Sequence, residues 1–146
     1  MKFSFLLCAL LGVAVIQPPV QGQQAAPAVI IQPASPSLAY SQVATDIAHL
    51  LQQATALSDA QAVALLRRKG PALQARARQV KPAYSRWVRG LSPAERKGER
   101  ERLDASPWYQ YFSTLDLDTS PLGVKAKRNR ALAEQLFNLM EFADGV

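Results

Sequence analysis

The sequence predicts an all-α fold, an antiparallel bundle of five to six short helices that follows a cleaved signal peptide and a flexible tether. Three observations lead there. Apolar residues recur at intervals of three and four through most of the chain beyond residue 36, the period of an α-helix. No segment sustains the alternation of a half-buried strand; Tyr111–Asp118 comes nearest, and a single strand has nothing to pair with. Finally, Ser-Pro, a capping side chain followed by a residue whose fixed φ suits a first turn, recurs at 35, 92, 106 and 120.

The chain opens with Met1-Lys2 and an apolar run from Phe3 to Ile16, then Gln17-Pro18-Pro19 and the small residues around Val20-Gln21-Gly22. This is the layout of a secretory signal peptide cleaved near Gly22, and the run is shorter than the roughly 20 residues of a membrane span. The chain is therefore expected to be exported, to the periplasm or beyond the cell. Cys8, the only cysteine, sits too early in the run to serve as a lipid-attachment site after processing. Without it the mature chain has no thiol, so no disulfide and no thiolate ligand or nucleophile. Residues 23–35 are rich in Gln, Ala and Pro, carry no charge, and read as a disordered linker with one sticky spot at Val29-Ile30-Ile31. Residues 36–146 are expected to form a single helical domain.

Within it, Tyr40, Val43, Ile47, Leu50, Ala54 and Leu57 make the stripe of a first helix. A second helix starts at Ser58 with Gln61 as its capping partner, carries Val63, Leu65 and Leu66, and is expected to end in Arg67-Arg68-Lys69 before Gly70. A third spans Gly70–Gly90, with Leu73, Ala77, Val80, Tyr84 and Trp87 on one face and Arg78, Arg86 and Arg89 on the other. Its apolar spacing runs unbroken through Pro82, which implies a kink at most. The fourth opens with the capping box Ser92–Glu95. It is so densely charged that only Ala94 and Leu103 are expected to face inward. A short aromatic helix follows Ser106-Pro107, with Trp108, Tyr111 and Phe112 on one side and Tyr109 on another. A last helix is expected from about Val124 to Ala143; its apolar face includes Leu132, Leu136, Phe137, Leu139 and Met140, and its basic start opposes the helix dipole.

The chemistry-bearing residues are few. His49 is the only histidine, three residues after Asp46, which permits an acid–base pair on one helix. One His and no mature Cys exclude a zinc or copper site of ordinary composition, and Asp116-Leu117-Asp118 lacks the spacing of a calcium loop. No Gly-framed serine and no glycine-rich phosphate cradle occurs. No catalytic residue, cofactor or metal is therefore assigned. A hydrolase built on Asp46/His49 or Asp116/Asp118 is the least supported reading.

Charge is the informative feature. Removing the signal leaves sixteen Lys/Arg against eleven Asp/Glu, a net +5, and Arg67–Arg102 alone holds twelve cations against three Glu, a local +9. Arg67, Arg68, Lys69, Arg78, Arg86 and Arg89 are the candidate contacts for an anionic partner: an acidic protein, a membrane surface or an envelope polymer. Export, and the placement of Tyr84 and Trp87 on the apolar seam, weigh against nucleic acid. A second reading makes the protein an envelope chaperone or inhibitor anchored by Trp108, Tyr109, Tyr111 and Phe112.

Overall fold

The computed structural model describes residues 35–142. The expected signal peptide, Cys8, the tether up to residue 34 and the last four residues lie outside the described residues. Within the described residues the fold is all-α, with six helices and no strand: α1 (Pro36–Ala56), α2 (Asp59–Gly90), α3 (Pro93–Asp104), α4 (Pro107–Ser113), α5 (Pro121–Arg128) and α6 (Arg130–Met140).

Helix starts follow local chemistry. Ser35, Ser92, Ser106 and Ser120 are all N-caps with proline directly after them, and Ser58 and Ser92 form reciprocal capping boxes with Gln61 and Glu95. Only Ser106 fails to cap through its side chain; its hydroxyl donates to the Leu103 carbonyl instead.

The main departure from expectation is α2. The predicted second and third helices are one element of 32 residues that passes through Gly70-Pro71 and Pro82 without ending. Glycine and proline cost about 1 and 3 kcal/mol in a helix interior, so packing must offset them. It does so by keeping Ala62, Leu66, Gly70, Ala77 and Tyr84 on one buried face across both interruptions. The two prolines are themselves exposed, so each missing N–H falls on the wet side of the helix, where water can satisfy the freed carbonyl. Arg67-Arg68-Lys69 therefore lies inside a helix, not at a dipole-favoured end.

α1 and α2 form an antiparallel hairpin joined at Leu57-Ser58. Tyr40 stacks on Tyr84 with ring centroids 4.3 Å apart, and further along Asp46 pairs with Arg76 at 2.7 Å. Tyr40 also stacks on Phe142 at 4.5 Å and meets Trp108 edge-on at 5.8 Å, so α1, α2, α4 and the second residue past α6 converge on one aromatic cluster. α6 crosses α2 at Gly70, with Leu139 as the nearest neighbour of a side chain placed there.

The predicted last helix is two. Asn129, at φ −133° and ψ 98°, breaks it, and its side chain accepts from the Leu132 N–H to start α6. Lys125, Lys127 and Arg128 thus occupy the last turn of α5, where cations favour the dipole, the reverse of the expected opposition. Lys125 does more: its ammonium donates to the carbonyls of Thr55 at 2.7 Å and Leu57 at 2.6 Å, capping the end of α1. Phe137, expected on the apolar face, is 53% exposed, and Ala94, expected inward, is also exposed.

The loop before α5 presses on Gly123. A methyl group there would collide with the Asp116 carbonyl oxygen and lie 2.6 Å from Leu117 Cα, both backbone atoms. Gly98, in contrast, meets nothing within 4 Å in the middle of α3. Gly123→Ala is expected to cost about 1–3 kcal/mol through overpacking. Gly98→Ala is expected to stabilise by about 0.5–1 kcal/mol through helix propensity. Urea unfolding of the two variants, which differ from wild type by one methyl each, measures both signs.

Candidate functional site

Placement of the predicted site residues follows from the continuity of α2. The helix carries eight Lys/Arg and one acid, Asp59. α3 carries four of each, interleaved along its length, so the positive excess of Arg67–Arg102 belongs almost wholly to α2. Arg67, Arg68, Lys69, Arg78, Arg86 and Arg89 are all exposed, and none forms an ion pair among the described residues.

Arg67, Arg78 and Arg89 recur every eleven residues. Eleven residues are three helical turns plus about 20°, so these three side chains leave the helix in nearly one direction, about 16 Å apart. Arg68 and Arg86, eighteen residues apart, are five full turns and form a flanking pair. Lys69 lies about 200° round the helix from Arg67 and does not share the face. In the second half of α2 the row becomes a shallow groove lined by Arg78, Lys81, Pro82, Ser85, Arg86 and Arg89. Lys81, which sequence reasoning passed over, is positioned there by donating to the Glu141 carbonyl at 2.9 Å. The eleven-residue interval is visible in the sequence once the two predicted helices are read as one.

The other candidates have structural duties. Trp108 is 6% exposed and packs edge-on against Tyr40 and Phe112. Of the four proposed anchors only Tyr109 reaches the surface, at 38%, while Tyr111 is half-buried and Phe112 is buried. A patch centred on the Trp108 ring is therefore not assembled. The Asp46 carboxylate is taken by Arg76, and His49 stands exposed without it. Asp116 Oδ1 accepts from the backbone N–H groups of Asp118 at 2.7 Å and Thr119 at 2.8 Å, fixing the turn before α5, while Asp118 pairs with Lys127. Among the described residues no three His, Cys, Asp or Glu side chains gather as a metal site, and no helix is long and apolar enough to cross a membrane.

The residue that sequence reasoning missed is Glu99. Expected on a solvated helix face, its side chain is only 9% exposed. Its carboxylate accepts from Ser37 Oγ at 3.0 Å, from the Tyr84 hydroxyl at 2.9 Å and from two nitrogens of Arg102 at 2.7 and 2.8 Å. Arg102 also donates to Ser41 at 3.0 Å. One acid thus ties α3 to α1 and α2. Burial acts to raise the Glu99 carboxyl, but hydrogen bonds from Arg102, Tyr84 and Ser37 outweigh it and hold the group below the ordinary carboxylate range. Burial pushes the Tyr84 hydroxyl up, so it stays a donor. The Glu99 carboxylate thus accepts from three donor side chains, Ser37, Tyr84 and Arg102, which makes the cluster a latch between helices.

No known protein family, curated protein or solved structure matches the chain.

Because folding lowers the Glu99 pKa, its contribution to stability is whole above about pH 4.3, the unfolded value, and is lost as pH falls through the lower folded value. Glu99→Gln is expected to cost about 1–3 kcal/mol at neutral pH by weakening the acceptor of two buried hydroxyls, Ser37 and Tyr84, and of the Arg102 guanidinium. The variant should also show a flatter loss of stability below about pH 4.3 than wild type. Urea midpoints measured across that range check both effects; equal slopes in the two proteins would mean that Glu99 is not the acid-sensitive contact.

Proposed function

We propose that this chain is a small, exported, non-catalytic domain that binds an anionic partner along the outer face of α2. The carrying observation is the row of exposed cations along one face of a helix whose apolar face is consumed by the core. Solubility alone would be served by cations anywhere. Instead the charges of α3 are balanced in sign, Arg76, Arg102, Lys127 and Arg130 are paired with acids, and the uncompensated positive charge is collected on α2. Like charges held in line raise the potential along that face and attract counter-charge from several ångströms away. The export assignment rests on the amino-terminal apolar run, and the non-catalytic assignment on carboxylates and a histidine that are committed elsewhere or isolated.

The test compares two variants with the same change in net charge: Arg78→Glu/Arg89→Glu on the row, and Lys97→Glu/Arg100→Glu on α3. Binding to anionic polymers, vesicles and acidic proteins is measured at about 50 and 200 mM salt. The row variant is expected to lose at least about tenfold in affinity, since each cation near an anionic surface contributes about 1 kcal/mol. The α3 variant is expected to lose much less, and melting temperatures to stay close to wild type. Equal losses in the two variants would reduce the effect to net charge and remove the site.

A further inference from the structure

We infer that the occupant of the α2 face is a linear polyanion, a flexible polymer carrying closely spaced phosphate, sulfate or carboxylate groups, laid lengthwise over Arg67, Arg78 and Arg89. This inference rests on the preceding reading and narrows its partner. Three properties of the face select a polymer. First, the cations form a line. The three arginines span about 33 Å, with a drift of only about 40° from first to last. Arg68 and Arg86 widen the track on one side. A line of positive stations matches a line of negative ones, and a compact anion can occupy only one station at a time.

Second, the stations are arginines. Guanidinium presents a planar fork of donors to an oxyanion and holds phosphate, sulfate or carboxylate with two parallel hydrogen bonds, where an ammonium acts as a point charge. None of the three forms an ion pair among the described residues, so none must give up an internal acid to bind.

Third, the face lacks what the rival partners need. A helix that lies in a membrane interface buries large apolar side chains beside its cations. α2 has no such side chain exposed: the large exposed apolar residues are Leu38, Tyr109, Leu117 and Phe137, all on other elements, and its own apolar face is packed against the core. A folded acidic protein would be expected to anchor on exposed aromatic side chains, and none of the large exposed apolar residues lies on α2. Between the arginine stations lie Pro71, Ala75 and Pro82, which are exposed, short and featureless. A polymer needs only charge and a smooth track.

The experiment uses the purified protein with inorganic polyphosphates of graded length, and vesicles of equal parts anionic and zwitterionic phospholipid. Affinity is expected to climb with polyphosphate length until the extended chain covers about 33 Å, then to level off per bound protein. Arg67→Gln/Arg78→Gln/Arg89→Gln is expected to lower the slope of log affinity against log salt for long chains by about three, one for each lost phosphate contact. Pyrophosphate, which meets one station at a time, should bind weakly to wild type, and the triple variant should lower that binding far less than it lowers the binding of long chains. Pyrophosphate that binds as tightly as long chains, or a triple variant with an unaltered salt slope, overturns the inference. Vesicles that bind more tightly than long polyphosphate also overturn it, but leave anionic docking on α2 standing. No binding to either probe overturns the inference, and the underlying reading of an anionic partner falls with it only where acidic proteins also fail to bind.

Discussion

The packing of α2 against α1 is the constraint on which the rest depends. Tyr40 on Tyr84 and Asp46 on Arg76 fix the register of the hairpin, and the shared face of Ala62, Leu66, Ala77 and Tyr84 keeps α2 continuous where its own sequence would stop it. Once that face is committed to the core, every polar side chain of α2 has only the remaining arc to occupy. A straight row of cations is thus a consequence of continuity. Two helices meeting at Gly70 would have pointed Arg67 and Arg89 in unrelated directions.

Element starts were legible in the sequence because they depend on contacts three residues apart. Ser58–Gln61, Ser92–Glu95 and the Ser-Pro pairs are local chemistry, and each begins a helix. The apolar stripe of α1 was legible for the same reason, since a period needs no partner to be seen. What was not legible depended on distant residues. Gly70-Pro71 reads as a stop until α1 and α6 are laid beside it. Asn129 reads as a helical residue until its side chain is seen to serve the Leu132 N–H. Glu99 is one of several acids in a charged run, and nothing within α3 says that Ser37 and Tyr84, 62 and 15 residues away, will turn it inward.

The polar groups of the described residues divide cleanly between those with structural work and those without. Lys125 closes the end of α1, Asp116 and Asp118 secure the turn before α5, Arg102 and Glu99 hold α3, and Arg76 bridges the hairpin. These assignments account for the histidine-adjacent acid and for the paired aspartates that suggested hydrolytic chemistry. They also account for the basic start of the predicted last helix, whose cations stabilise the end of α5. The arginines of the α2 row are among those left after this division, as are Arg100 on α3 and Arg128 on α5. Their candidacy as a binding surface comes from the absence of an internal partner together with their alignment on one helix, which composition alone cannot reveal.

The prolines belong to the same logic. Pro71 follows Arg67 by four residues and Pro82 follows Arg78 by four, and position i−4 is the carbonyl that a proline leaves without its helical donor. A freed carbonyl is tolerable only where water reaches it, so a proline inside a continuous helix is restricted to the solvent arc. That is the arc to which the core confines the cations. Proline and arginine are therefore brought to the same side by two different physical demands, one for hydration of the backbone and one for hydration of charge. The eleven-residue interval satisfies both at once, because it is close to a whole number of turns and returns each residue to the wet side of a helix too long for seven-residue spacing to stay in line. Small, rigid proline between the arginine stations also keeps bulky side chains out of the track. The sequence feature that most resembled a set of helix breaks thus lies on the cationic face itself and leaves that face open between its charges.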